Sequence, residues 1–230
     1  MTAPAVPTSV TWLAEGTGFL LDQLDVVDLA AASGLPGWTN GHVGAHLARN
    51  ADALLRLMHW ASTGEQTPMY ASAAARDADI GRDAQRDPAV IRADVRRTAA
   101  LLDDAIAAAD ERTWAARIRS TRKEIGAAEV PWMRAKEVWL HAVDLGASPA
   151  GLPPELATAL LADIAGSFAD RAEVPPVRLV DSESGNVVEI GAGGPTVTGP
   201  VGELALWLAG RSTGQGLRSS EGVPELPPWL

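Results

Sequence analysis

Four long stretches of helical periodicity fill the first part of this sequence and constrain its fold more than any other feature. Apolar residues recur three and four apart from Val10 to Ala32, ending at Gly34, and again from Gly41 to Ser62, behind a Thr39 N-cap and ahead of Gly64. Asp87 and Pro88 form an N-cap and first-position pair for a helix reaching about Ala109, and Pro131 opens another that closes at Gly146. A shorter stretch, Ser72 to Arg86, also has helical character. Each long stretch has one apolar face to bury, and four such faces joined by modest loops predict a four-helix bundle. Trp114 to Val130 breaks the pattern and reads as a loop or short hairpin.

Composition changes after Gly146, where Ser148 to Pro154 carries three prolines and a glycine and reads as a linker. Beyond it the pattern predicts a helix from Glu155 to Arg171 and a strand from Val177 to Val180. A turn over Glu183 to Asn186 and a strand from Val187 to Ile190 follow. After a turn at Gly191 to Pro195 come a strand at Thr196 to Thr198, an apolar helix at Gly202 to Ala209, and a proline-rich tail from Gly222. The expected fold class is α+β, with a helical bundle over 1–147 and a small α+β domain over 153–230.

The 230 residues are 47% hydrophobic, enough for a real core. With 29 acidic against 19 basic residues the net charge is -10, which repels a phosphate backbone, and no Lys/Arg cluster offsets it. Nucleic acid is therefore not an expected partner. No apolar run approaches the roughly 18 residues of a membrane span, and the first residues lack the basic start of a secretory signal. The expectation is a soluble, cytoplasmic protein with no membrane partner and an oligomeric state left open, a monomer included. The chain has no cysteine, so any thiol chemistry needs a thiol from outside.

Glu137 and His141 stand four residues apart on the helix opened by Pro131, about 40° apart around its axis, so both can reach one ion. The buried character of that helix, with Val138, Leu140, Val143 and two tryptophans, favours a cation beside the carboxylate over a solvated ion pair. Only four histidines exist. His46 lies among Val43, Leu47, Asn50 and Leu54 on the inward face of its helix, whereas His42 falls in the first turn near solvent. His59 is turned about 220° away from His46 and reads as a partly buried, hydrogen-bonded residue. Two histidines and one carboxylate make an open metal site, the pattern of catalytic zinc (Zn2+). Asn50 and Asp144, one turn beyond their histidines, are placed to touch those rings or a ligand. Arg134 either binds an anion or pairs with Glu137. Arg211 reads from its position as a cation at a helix C-terminus, with carboxylate recognition as the other reading. The eight tryptophans are taken as core.

Several runs are familiar as sequence. Gly37 to Thr39, His42 to Asn50, Leu57 to Tyr70, Trp132 to Arg134, Glu137 to Gly146 and Pro227 to Leu230 resemble the mycothiol-dependent maleylpyruvate isomerases. The likeness spans nearly the whole chain and is weakest from Asp77 to Glu129. It implies a DinB-like bundle holding zinc on His46, Glu137 and His141, and a functional arginine at Arg211. It further implies cis-trans isomerisation of maleylpyruvate to fumarylpyruvate, as in gentisate-type aromatic catabolism, with mycothiol as the cofactor thiol. The thiolate adds reversibly to the cis double bond, which rotates once single. A mycothiol S-transferase of the same superfamily is the alternative enzyme, and a non-catalytic metal- or ligand-binding protein the alternative of another class.

Overall fold

The computed structural model describes residues 3–121, 123–169 and 171–229 and divides into two compact units, one of Pro4–Ala147 and one from Ser148 onward. The larger unit begins with α1 (Val6–Val26), α2 (Asn40–Thr63), α3 (Ala73–Asp83) and α4 (Pro88–Ala107). It continues with α5 (Glu111–Ala115), strands β1 (Arg117–Arg119) and β2 (Glu124–Gly126), a 3-10 turn, and α6 (Val130–Asp144). The four long helices close a ring in which α1 packs on α6, α6 on α2, α2 on α4 and α4 on α1. Their inward faces bury Leu13, Leu20 and Leu24 from α1, Leu47, Leu54 and Leu57 from α2, Val95 and Leu102 from α4, and Val138 from α6. Each such side chain contributes about 1.5–3 kcal/mol on leaving water.

Helix α2 follows its local signals closely. Thr39 Oγ1 accepts the His42 N–H, and the His42 ring returns the favour by accepting the Thr39 N–H, a capping box with histidine in the third position. The helix stops one residue before Gly64. Helix α6 ends with the Gly146 N–H on Val143 O and the Ala147 N–H on Ala142 O, a geometry that needs the φ of 95° at Gly146.

Helix α1 departs from expectation by starting at Val6, with Pro7 in its first turn, and ending at Val26 rather than Ala32. The stop comes from elsewhere in the chain: Arg92 on α4 donates from Nε to Leu24 O at 3.0 Å and from Nη2 to Val27 O at 2.8 Å. Those are carbonyls a continuing helix would have used. Residues 27–39 form a tied loop instead, with Asp28 Oδ1 accepting the Ala30 N–H and the Gly34 N–H reaching Asp144 O. The segment expected as loop or hairpin resolves into α5 and an antiparallel β1–β2 pair with Ile118 opposite Ile125.

The smaller unit contains α7 (Pro154–Phe168), β3 (Val177–Asp181), β4 (Val187–Ile190), β5 (Thr196–Gly199) and α8 (Val201–Leu208). Strand β3 is central, antiparallel to β4 and parallel to β5, so that Leu179 faces Val188 on one side and Val197 on the other. Helices α7 and α8 pack together, α7 also on β4 and α8 on β3, and bury Leu156, Leu160, Phe168, Leu204 and Leu206. Helix α7 stops at Phe168, short of the expected Arg171, because Arg171 is drawn to the tail: its Nη1 donates to Pro228 O and Trp229 O. The last residue of that tail, Leu230, lies outside the described residues. The fold is thus α+β, with eight α-helices among the described residues. None of them is long and apolar enough to cross a membrane.

Candidate metal centre

Helices α2 and α6 lie side by side in the ring, and their contact brings His46 to Glu137 and His141. His46 Nε2 is 2.9 Å from Glu137 Oε2, and His141 Nε2 is 3.2 Å from the same oxygen. The two imidazoles meet edge to face with centroids 4.7 Å apart. One ligand atom from each residue lies within 4.8 Å of the other two. The His46 and His141 side chains are 6% and 9% exposed, but Glu137 is 28% exposed, so the cluster is enclosed on its nitrogen side and opens at the carboxylate.

Asp144 Oδ2 sits 2.8 Å from His141 Nδ1, a partner that keeps a proton on Nδ1 and orients the ring with Nε2 toward the cluster. Trp38 stands edge-on to the His46 ring at 5.6 Å. Burial alone would raise the Glu137 carboxyl, but hydrogen bonds from His141 and His46 outweigh it and hold the group well below the usual carboxylate range. Burial pushes His46 below the ordinary histidine value despite its contact with Glu137. Burial opposes protonation of His141 as well, yet the hydrogen bonds to Asp144 and Glu137 prevail and raise it. An anion flanked by two imidazole nitrogens, largely out of water, is a donor set suited to a divalent cation.

Arg134 and Asn50 find each other across the helix pair rather than reaching the cluster. Arg134 is 1% exposed, and its Nη1 donates to Leu47 O at 2.9 Å and Asn50 Oδ1 at 2.8 Å. Burial lowers its guanidinium to about 10, against the pull of Glu137 and Asp103, so it stays a cation at neutral pH and favours the ionised Glu137. His42 is committed to the α2 cap. His59 lies at the surface, its side chain 50% exposed and 3.5 Å from Glu65, where partial burial had been expected; α2 turns that face away from the bundle.

In the smaller unit, Arg211 follows the end of α8, where its N–H reaches Leu206 O and its Nη1 donates to Ala209 O at 2.7 Å. Three residues beside the cluster went unassigned in the sequence: Trp38, Tyr70 and Arg76. Arg76 Nη2 is 3.3 Å from His46 Nδ1, and its guanidinium lies over the Tyr70 ring. The available signal was spacing, since Arg76 stands one turn before the buried Ile80 and so on the inward side of α3.

Fold and site together define a class: a four-helix bundle with a buried His–Glu–His set drawn from adjacent helices, joined to a small α+β unit. Residues 13–146 match the family model for the mycothiol maleylpyruvate isomerase N-terminal domain. The chain belongs to the mycothiol maleylpyruvate isomerase family. It is similar over 100% of both chains to a crystal structure of the mycothiol-dependent maleylpyruvate isomerase, with 34% sequence identity and a TM-score of 0.92. A structure of a histidine-to-alanine mutant of that isomerase gives the same three values. No curated protein sequence matches the chain.

Proposed function

We propose that this protein is a zinc- and mycothiol-dependent isomerase that converts maleylpyruvate to fumarylpyruvate in the cytoplasm. The observation that carries the reading is the buried His46–Glu137–His141 cluster in a chain that shares its whole length with the named isomerase. Lack of any cysteine accords with a thiol supplied from outside. Bound at the cluster, zinc would favour the thiolate of mycothiol, and that nucleophile, by adding reversibly to the cis double bond, would leave a single bond free to rotate.

The chain's own residues do the rest. His46, Glu137 and His141 would hold the ion, and Glu137, the most exposed of the three, lies on the side from which thiol and substrate would approach. Asp144 keeps His141 in the tautomer that ligates. Arg134, buried and cationic, ties α6 to the α2 backbone through Leu47 O. Arg211 takes a substrate carboxylate and stabilises negative charge as it develops.

Zinc-loaded protein is assayed with maleylpyruvate, with and without mycothiol, following fumarylpyruvate. Thiol-dependent isomerisation that disappears in His141→Ala supports the assignment. A stable thioether product makes the protein an S-transferase, and bound zinc without any thiol-dependent turnover makes it a binding protein. Arg211→Ala retains full zinc content while losing most turnover; zinc lost together with turnover would make Arg211 structural.

A further inference from the structure

Helix α3 reaches the cluster through Arg76 yet holds to the bundle by very little. Of its 11 residues only Ile80 and Asp83 are buried, against 15 of the 24 in α2. The chain on either side of it is fixed. Ahead of α3, Thr67 Oγ1 donates to Arg56 O at 2.7 Å, Arg56 Nη1 donates to Met69 O at 2.8 Å, and the Met69 side chain is buried. Behind it, Arg86 Nη1 donates to Asp94 Oδ2 at 2.9 Å. Between those anchors α3 makes two polar contacts with α2: Asp83 Oδ2 accepts from Arg49 Nη1 at 2.6 Å, and Arg76 Nη2 lies 3.3 Å from His46 Nδ1. Ile80 is its one buried apolar side chain.

Each charged group in those contacts keeps another partner when α3 lifts. Arg49 retains Asp94 at 2.8 Å and Asp52 at 3.0 Å, both through Nη2. Asp83 retains Arg82 Nε at 3.2 Å, and Arg76 retains Asp77 at 2.8 Å. Separating a buried ion pair is costly chiefly because it strands a charge away from water, and here none is stranded. A segment with so little apolar burial, and with contacts so readily replaced, opens well before the domain around it unfolds.

We propose that α3 is a flap, latched by Asp83 on Arg49, that opens on its own and bares the His46 edge of the cluster. His46 is 5% exposed and Arg76 is what meets its Nδ1, so each opening gives small ligands a path to the nitrogen side that the closed structure denies them. The flap belongs to the fold and is independent of the reaction catalysed.

The test uses chelator-treated protein: the parent, Asp83→Asn, Ile80→Ala, and Asp79→Asn, whose partner Arg82 lies on α3 itself. Amide hydrogen exchange is read helix by helix. Modification of His46 by diethyl pyrocarbonate is read by peptide mass spectrometry, with the exposed His59 as internal standard. In the parent, α3 amides exchange about 100-fold faster, or more, than those on the inward faces of α2 and α4. Asp83→Asn raises both α3 exchange and His46 modification about 10- to 100-fold, the loss of a charge-assisted hydrogen bond, and leaves α1 and α6 unchanged. Ile80→Ala raises them at least as much, and Asp79→Asn stays within about twofold of the parent. Exchange in α3 as slow as in α2 overturns the proposal. So does an Asp83→Asn protein in which every helix speeds up alike, which makes the latch a prop of the whole bundle. Faster α3 exchange without faster His46 modification overturns the flap's bearing on the cluster.

Discussion

Replacing Gly16 by alanine tests how α1 and α6 fit together, and Gly18, two residues along the same helix, supplies the control. A Cβ built on Gly16 would lie 2.5 Å from Trp139 Nε1 and 2.8 Å from Val138 Cγ2, both on α6. The Trp139 indole cannot yield freely, because its Nε1 donates to Trp12 O at 2.8 Å. Overpacking at such a contact costs about 1–3 kcal/mol, and disturbing the indole hydrogen bond about 1 kcal/mol more. Alanine's better helix propensity offsets roughly 1 kcal/mol, which leaves a net loss of about 1–3 kcal/mol. For a protein of this size that lowers Tm by roughly 3–10 °C. Gly18 is exposed, with nothing within 4 Å of its Cβ position, so Gly18→Ala shows the propensity gain alone, about 0.5–1 kcal/mol of added stability. Thermal unfolding followed by circular dichroism on chelator-treated protein compares them without a metal's contribution. A Gly16→Ala protein as stable as its parent, or two substitutions with the same sign, would refute the packing argument.

Other perturbations follow from the cluster. Asp144→Asn replaces a charged acceptor of the His141 Nδ1 proton by a neutral one and weakens zinc binding about 10- to 100-fold in a chelator competition; an unchanged affinity would show that Asp144 does not orient the ring. The depressed Glu137 carboxyl sets the pH dependence of the chelator-treated protein. Because its folded value lies below its unfolded one, the stability it contributes is in place above the ordinary carboxyl range and is lost as pH falls through the folded value. Glu137→Gln therefore flattens the acid limb of a Tm-against-pH curve, and a limb of undiminished slope would locate that linkage elsewhere. The two histidines separate in the same protein: proton NMR finds His141 titrating above the ordinary value and His46 below it, and a reversed order contradicts the environments described.

The parts legible in the sequence are those whose causes are local. Thr39 and Gly64 bound α2 because a cap and a stop act within a few residues of themselves. Glu137 and His141 pair on α6 because i,i+4 spacing alone puts them on one face. His46 joins them because its neighbours fix which face of α2 turns inward. The end of α1 was not legible, because Arg92, 68 residues beyond Leu24, takes the carbonyls that a longer helix would use. Asn50 and Arg134 were each weighed along their own helix, whereas the hydrogen bond that occupies them crosses from α6 to α2. Arg76 was passed over for a similar reason: the ring it meets, that of His46, is on another helix.

The proposed ligand pair on α6 and its proposed histidine partner on α2 are separated by 91 residues of chain. During synthesis at about 5–20 residues per second, roughly 5 to 20 seconds pass between the appearance of His46 and that of Glu137. Throughout that interval His46 has no partner with which to hold an ion, and metal cannot nucleate the nascent bundle. Glu137 and His141 then emerge together, already matched by one turn of helix, and the docking of α6 completes the set in one event. On the proposed ligand set, stable metal uptake would be a late checkpoint in the life of the chain, passed only by molecules whose ring of four helices has closed.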